Sequence, residues 1–266
     1  MTADVTRFAP SPTGLLHLGH AFAALFAEQA ACAMGGRFLL RIEDIDTARS
    51  RGEFELAIEE DLAWLGLSWE RPVRRQSEHF ADYAAALKAL KQRDLLYPCF
   101  CTRKEIAVEI AASAAAPHGP DGPLYPGMCR RLHHDERARR LAGGEDHAWR
   151  LDVARAASAG GSLTFEESGD VPERGVTVAR PGIFGDVVLA RKDTPASYHL
   201  AVVVDDASQG VTLVTRGHDL QSATHLHRLL QHLLNSPVPR YRHHRLVTDE
   251  AGKRLAKRDQ ATALRT

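Results

Sequence analysis

The sequence predicts an α/β protein built on a parallel sheet. Within the first forty or so residues, a short apolar segment (Val5–Ala9), a helical repeat of apolar residues (Leu18–Met34) and a second apolar segment (Arg37–Asp44) follow one another. Two strands joined through a helix lie parallel in one sheet. Nearer the carboxyl end, Val211–Gly217 (VTLVTRG) has the composition of a buried strand and precedes a helical repeat over Ala223–Leu234. The 266 residues are enough to bury such a core.

The segments between these elements are assigned from the same kind of spacing. Arg51–Leu65 is predicted to be a helix that ends at Gly66, and Ser77 is predicted to cap a third helix. Residues 111–127 begin with helical composition and continue as a loop rich in proline and glycine. The periodicity of His199–Asp206 (HLAVVVDD) leaves strand and helix open.

The composition argues against a strongly basic nucleic-acid-binding protein and against a membrane-spanning one. Lys and Arg number 34, as do Asp and Glu, and no apolar run approaches the length of about 18 residues that a membrane span needs. The first residues have no basic region followed by an apolar run, so we expect a cytoplasmic protein. In such a chain, clustered cysteines indicate a metal site rather than disulfides, whereas Cys32 is predicted to be a core residue of the first helix.

Residues 11–20 (SPTGLLHLGH) lie where the first strand turns into the first helix. A helix N-terminus attracts anions, and glycines such as Gly19 allow a ligand to approach closely. His17 and His20 are three residues apart and share one side of the first helical turn, from which they can donate hydrogen bonds to phosphate oxygens. Taken alone, the tetrapeptide HLGH favours an ordinary helix start that contains histidines.

A second short motif changes that interpretation. Residues 252–259 (GKRLAKRD) place Lys253 and Lys257 four residues apart, which alone indicates a solvated basic turn. Together with HLGH, however, the motif resembles class I aminoacyl-tRNA synthetases. The resemblance implies a Rossmann-type parallel sheet flanked by helices. It also implies that His17, Gly19, His20 and Lys257 bind ATP, which arrives with Mg²⁺, and that the two histidines and Lys257 act as catalytic residues.

Further segments are similar to the glutamyl-specific branch of that class. They are RFAPSPTGLLHLGH from Arg7, RIEDID from Arg41, ASYHLAVVVDD from Ala196 and RGHDL from Arg216, and their order matches from Arg7 to Lys257. Glutamate has two carboxylates and one ammonium, and Arg binds carboxylates in a bidentate manner.

The resemblance implies a role for five residues in binding glutamate. Arg7 holds the side-chain carboxylate with help from Ser11, Glu43 receives the ammonium beside Tyr198, and Arg216 meets the α-carboxylate. The alternative is that Arg7, Glu43 and Arg216 form surface or structural ion pairs.

The remaining cysteines suggest tetrahedral zinc. Cys99, Cys101 and Cys129 supply three thiolates. Spacing alone leaves Tyr125, His118 and His133 open as the fourth ligand. The pattern of Cys-x-Cys followed by Tyr-x3-Cys resembles the glutamyl-Q tRNA(Asp) synthetase family, and this resemblance implies that Tyr125 completes a structural site with one zinc per chain. The alternative is three unrelated buried thiols.

The resemblance also implies a division of the chain into four parts. Residues 1–96 form the first half of a nucleotide-binding catalytic domain, residues 97–175 a zinc-containing insertion, residues 176–246 the second half, and residues 247–266 a lysine-loop segment. Nine residues follow Lys257, so we expect no anticodon-binding domain.

The implied activity is the transfer of glutamate, activated by ATP, to queuosine in the anticodon of tRNA(Asp), by a monomer and without charging a tRNA 3′ end. The family's lysine loop usually has serine where this chain has Ala256, so we expect slower activation. Three alternatives stay open: a truncated glutamyl-tRNA synthetase acting on tRNA(Glu), a non-catalytic synthetase-like binding protein, and a nucleotidyltransferase.

Overall fold

The structure is a computed structural model that describes residues 3–33, 35–112, 117–248 and 263–265. The α-helices of this part are α1 (Leu18–Cys32), α2 (Gly52–Trp64), α3 (Phe80–Gln92), α4 (Arg103–Ala112), α5 (His134–Ala142), α6 (Val153–Ser158), α7 (Tyr198–Ser208) and α8 (Ala223–Leu233). Its strands are β1 (Val5–Phe8), β2 (Arg37–Ile42), β3 (Glu70–Arg75), β4 (Leu96–Cys99), β5 (His118–Gly119), β6 (Gly122–Pro123), β7 (Ala148–Leu151), β8 (Thr164–Glu167), β9 (Gly175–Val178), β10 (Val187–Ala190), β11 (Leu213–Gly217) and β12 (Arg240–His244).

The first half of the fold is a parallel sheet of three strands covered by helices. β2 lies between β1 and β3, and both pairs are parallel. The buried residues of β2 pack with those of α1 and α2 in one cluster that includes Ala24, Leu40, Ile58 and Leu62. Burial of these apolar side chains is the main stabilising contribution to this half.

The second half is a sheet in the order β11, β12, β8, β9. β12 pairs in parallel with both β11 and β8, while β9 is antiparallel at the edge. The amide of Thr212 donates to the carbonyl oxygen of Val5, so that β11 starts beside β1. The carboxyl ends of β1 and β11 therefore lie side by side, and in open α/β sheets ligands bind at this edge.

A third, antiparallel sheet joins β4, β7 and β10. It packs with α3, α7 and α8 in a large core cluster that includes Tyr83, Leu151, Leu189, Leu200 and Leu229. This cluster connects residues on both sides of the predicted insertion. The predicted domain boundaries after residues 96, 175 and 246 stay a prediction.

The α/β class with a parallel sheet and flanking helices is confirmed, and so are the early strands and helices within one or two residues at their ends. His199–Asp206 is helical because Ser197 caps α7, its side chain accepting from the amide of Leu200. The prediction that Ser77 caps a helix is wrong: α3 begins at Phe80, after His79. No helix in the described ranges is long and apolar enough to cross a membrane.

Candidate active site

A cavity of about 490 Å³ opens at the carboxyl ends of β1 and β11. It brings together eight residues that the sequence predicted to bind glutamate or ATP: Arg7, Ser11, His17, Gly19, His20, Glu43, Tyr198 and Arg216. The ninth, Lys257, lies outside the described residues, as do Lys253 and Ala256. These eight residues come from segments up to about two hundred residues apart in sequence, so the fold itself assembles the cavity.

His17 and His20 stand at the N-terminus of α1, on the cavity wall. His17 is the N-cap residue: its Nδ1 accepts from the amide of Gly19 at 3.1 Å, and its own amide donates to Nδ1 of His20 at 3.2 Å. Since both Nδ1 atoms accept, the proton of each neutral ring lies on Nε2. Gly19 has no side chain to collide with this arrangement, because a Cβ there would lie 3.0 Å from Cε1 of His17.

The two imidazole rings have centroids 3.8 Å apart. The two rings therefore lie together beside the helix N-terminus, on the wall of the cavity. Donors at a helix N-terminus suit phosphate oxygens. The capping box also explains the spacing of the motif, since only a residue three positions after the N-cap can close it.

Arg7 is buried near the end of β1, and two other groups of the protein accept hydrogen bonds from its guanidinium. Its Nε donates to Oδ1 of Asp206 at 2.9 Å, and its Nη1 donates to the carbonyl oxygen of Thr215 at 3.0 Å. Asp206 also accepts from Nη2 of Arg41 at 2.7 Å. Although burial raises the pKa of Asp206, the two guanidiniums hold it below its ordinary value. Asp206 is therefore an ionised carboxylate that fixes the plane of Arg7.

Glu43 supplies a carboxylate close to these arginines. Its Oε1 lies 3.8 Å from Nε of Arg41, and its side chain is 11% exposed. Burial raises the pKa of Glu43 to about 7, against the lowering effect of Arg41 and Arg7. A ligand ammonium placed here would favour the ionised form, because an opposite charge within a few ångströms stabilises it.

Arg216 lies at the end of β11 and is buried. Nη1 donates to the hydroxyl of Tyr198 at 3.3 Å and lies 3.2 Å from Nδ1 of His227, while Nη2 donates to Oγ1 of Thr224 at 2.8 Å. Nε donates to Nε2 of His243 at 3.0 Å. All four partners are uncharged, because burial keeps the pKa of His227 well below its ordinary value and lowers that of His243. Arg216 forms no ion pair within the described residues, so its charge is available to a ligand carboxylate.

The three clustered cysteines also converge in the fold. Cys99 ends β4, Cys101 follows it, and Cys129 opens a short 3₁₀ turn; their Sγ atoms all lie within 4.8 Å of one another. A hydrogen bond from Cys129 outweighs burial and lowers the pKa of the Cys99 thiol to about 4. Three sulfurs at this separation can hold a metal ion.

Tyr125 is the fourth candidate ligand, and the geometry favours it. Its hydroxyl oxygen lies 3.4 Å from Sγ of both Cys99 and Cys101. His133 is instead exposed at the N-terminus of α5, where Nδ1 accepts from the amide of Asp135, and His118 is exposed on the short strand β5. The prediction that Cys32 is a core residue is wrong: it is exposed, and its thiol donates to Glu28 at 3.0 Å.

Comparison with known proteins gives the family. The catalytic domain of class I tRNA synthetases (E and Q) matches residues 4–266. The chain belongs to this family. It is 54% identical to a protein from Rhodobacter capsulatus named glutamyl-Q tRNA(Asp) synthetase, over 98% of this chain and 93% of that protein. A protein of the same name from Deinococcus radiodurans is 45% identical, over 97% of this chain and 81% of that protein.

The solved glutamate-tRNA synthetase of Elizabethkingia anophelis has the same fold. It superposes with a TM-score of 0.76 at 27% identity and covers 97% of this chain. The chain spans about half of that synthetase, 53% of its length. The predicted resemblance to class I synthetases is thereby confirmed, and the protein is a ligase of that class.

Several buried residues that hydrogen-bond to the side chains of the cavity, directly or through one another, were not among the predicted site residues. They are Arg41, Asp206, Thr224, His227, Glu167 and His243. Arg41 and Asp206 lie inside the segments RIEDID and ASYHLAVVVDD, so the resemblance of these segments could have identified both residues. The others carry no local signal, because each forms its hydrogen bond with a residue on a different strand or helix.

Proposed function

We propose that this enzyme activates glutamate with ATP and transfers the glutamyl group to queuosine in the anticodon of tRNA(Asp). The observation that carries the proposal is the placement of Arg7, Glu43 and Arg216 around one cavity, since two guanidiniums and one carboxylate match the charges of glutamate. The names of the relatives at 45–54% identity support the choice of acceptor. The protein would act in the cytoplasm as a monomer.

In the first step, an oxygen of the glutamate α-carboxylate attacks the α-phosphorus of ATP. A new O–P bond forms, the bond to the β-phosphate bridging oxygen breaks, and pyrophosphate leaves. The Nε2–H groups of His17 and His20, together with the N-terminus of α1, stabilise the charge on the phosphate oxygens. We assign Lys257 to the leaving pyrophosphate. The step needs positioning and electrostatic stabilisation rather than a covalent intermediate on the protein.

In the second step, a hydroxyl of the cyclopentenediol ring of queuosine attacks the glutamyl carbonyl carbon. A new C–O ester bond forms, the bond from that carbon to the phosphate oxygen breaks, AMP leaves with the electron pair, and the hydroxyl proton is released to water. A second cavity of about 350 Å³ offers space for this acceptor. It shares Ser11, Thr13, Glu43 and Tyr198 with the first cavity, so both open onto the same bound amino acid. Unpaired bases of a tRNA loop can be turned out into such a pocket.

We propose that Cys99, Cys101, Tyr125 and Cys129 hold one zinc ion. Zn–S bonds of about 2.3 Å in a tetrahedron separate two sulfurs by about 3.8 Å, which the sulfur cluster can adopt with small shifts. Four protein ligands leave no open position, so the ion would stabilise the join between β4 and the loop that carries Tyr125. It supplies no chemistry to glutamate.

The test is glutamate-dependent exchange of pyrophosphate into ATP without tRNA, followed by transfer of labelled glutamate. The proposal expects exchange, and label on tRNA(Asp) that contains queuosine but not on the same tRNA without it. Label on the 3′ end of tRNA(Glu) would contradict the proposed acceptor. The absence of any exchange would favour a binding protein.

A further inference from the structure

Glu167, His243 and Arg216 lie in a row across three neighbouring strands. β11 and β12 pair in parallel with Arg216 opposite His243, and β12 pairs with β8 through Tyr241 and Glu167. The register therefore places an arginine, a histidine and a carboxylate side by side at the carboxyl ends of these strands, where the cavity opens. All three side chains are buried, and those of His243 and Glu167 are 0% exposed.

The hydrogen bonds of this row determine where the proton of His243 lies. Oε2 of Glu167 is 2.5 Å from Nδ1 of His243, and the pKa of Glu167 is lowered by His243 in spite of burial, so the carboxylate accepts. Nδ1 therefore carries the proton. In a neutral ring Nε2 then has a lone pair, and it accepts from Nε of Arg216 at 3.0 Å.

The other oxygen of Glu167 fixes the orientation of its carboxylate. Oε1 accepts from the amide of Gly169 at 2.7 Å and from the amide of His243 at 3.0 Å. Because two backbone donors occupy Oε1, Oε2 is the atom that must face the imidazole. The carboxylate cannot exchange its two oxygens without breaking both backbone bonds.

This arrangement differs from the one that holds Arg7. Asp206 binds Arg7 directly and offsets its charge. At Arg216, a neutral imidazole separates the guanidinium from Glu167, so that Arg216 is oriented without being paired to a carboxylate. Of its five N–H groups, four meet acceptors within the described residues, and one on Nη2 remains for a ligand.

We propose that Glu167 and His243 are positioning residues for glutamate binding: Glu167 holds His243 as the Nδ1–H tautomer, and the lone pair on Nε2 then fixes Arg216 toward the glutamate α-carboxylate. The proposal rests on the proposed function for the identity of the ligand. Neither residue touches the ligand, and both act through Arg216.

The substitution Glu167→Gln tests the tautomer with almost no change of shape. The two backbone amides require the amide oxygen of Gln at the position of Oε1, which places its NH₂ against Nδ1 of His243. Nδ1 must then accept, the proton moves to Nε2, and Nε2–H faces Nε–H of Arg216. Arg216 loses this acceptor, and the glutamate KM in exchange should rise about 10- to 100-fold, the effect of one lost hydrogen bond to a charged group.

Two substitutions at His243 separate positioning from packing. In His243→Gln, the side-chain NH₂ can donate to Glu167 and the oxygen can accept from Arg216, so the glutamate KM should stay within about threefold of wild type. In His243→Leu the bulk remains and the acceptor is lost, so the KM should rise as in Glu167→Gln. The matched control is Glu166→Gln, an exposed neighbour on β8. The KM for ATP should be unchanged in all of them.

A measurement on the wild-type protein removes the dependence on variants. Long-range ¹⁵N–¹H NMR on histidine-labelled protein reports the tautomer, and the proposal expects His243 to be neutral with the proton on Nδ1. An Nε2–H tautomer, an imidazolium, or a Glu167→Gln variant with the wild-type glutamate KM would overturn it. If wild-type protein shows no exchange, the proposed function fails, while the NMR result still tests the row of side chains.

Discussion

We predict that Glu43 makes glutamate binding depend on pH in a defined direction. Its carboxylate faces Arg41, Arg7, Asp205 and Asp206, and burial raises its pKa to about 7. In the proposed complex this carboxylate pairs with the ligand ammonium, which requires the ionised form. Glutamate should therefore bind more weakly as the pH falls through 7. The raised pKa also makes the free energy of unfolding depend on pH. The folded protein binds the proton of Glu43 more tightly than the unfolded chain does. The resulting contribution to stability is therefore complete below the ordinary pKa of 4.5 and is lost as the pH rises through 7.

The size of the effect on binding follows from the ionised fraction. For a pKa of about 7, the carboxylate is about nine-tenths ionised at pH 8 and about one-tenth ionised at pH 6. Apparent affinity scales with the fraction of protein that is competent to bind, so the Kd for glutamate should rise about tenfold, equivalent to about 1.4 kcal/mol. The histidines beside Arg216 do not add to this change, since the pKa values of His227 and His243 are lowered.

Calorimetric titration with glutamate alone, at pH 6, 7 and 8, measures this dependence without ATP or tRNA. Glu43→Gln should bind weakly at all three pH values, because its side chain does not ionise. Glu70→Gln is the control, since Glu70 is an exposed partner of Arg37 and keeps a lowered pKa. A wild-type Kd that is flat from pH 6 to pH 8, or a pH dependence that survives in Glu43→Gln, would refute the assignment.

Three further predictions concern the groups around the cavity and the metal site. Arg7→Lys keeps a charge but loses the fork held by Asp206, so kcat/KM for glutamate in the exchange assay should fall about 100-fold or more; a loss under tenfold speaks against the assignment. Asp206→Asn leaves Arg7 and Arg41 without their shared carboxylate and should lower the free energy of unfolding in urea by about 3–5 kcal/mol. An unchanged midpoint of urea unfolding would show that the ion pairs of Asp206 are dispensable for stability. Tyr125→Phe keeps the ring but removes the oxygen, and should weaken zinc binding by more than about tenfold in a chelator competition; equal affinity would point to a different fourth ligand.

The parallel sheet could be predicted because its strands and helices are buried on one or both faces and so leave a periodic apolar pattern. The start of α3 could not be predicted from local rules. Ser77 has the residue type of a cap, but its amide and hydroxyl donate to Asp44, 33 positions earlier, at 2.8 and 2.5 Å. This bond across the fold takes the hydroxyl away from the helix, and no local pattern in the sequence indicates it.

The predicted side chains of the cavity were recognised because they belong to short segments with a fixed internal order. Their supporting groups were not, and the reason is geometric. Glu167 and His243 are 76 residues apart in sequence, and only the pairing of β8 with β12 brings them together. The hydrogen bonds that orient Arg216, likewise, depend on which tautomers its histidine neighbours adopt. Those tautomers follow from bonds between strands and helices rather than from residue type.

The hydrogen-bond partners of Arg7 and Arg216 also bear on whether tRNA is needed to form the proposed glutamate pocket. Fixing a mobile arginine side chain costs up to about 2 kcal/mol of conformational entropy. Asp206 and Thr215 fix Arg7, and His243, His227 and Thr224 fix Arg216, all within the protein itself. This cost is therefore met when the chain folds and not when glutamate arrives, which is preorganisation. A pocket whose cationic groups are already held in place has no need of a tRNA to order them. Under the proposed function we therefore expect glutamate to bind, and its adenylate to form, before the acceptor enters the second cavity.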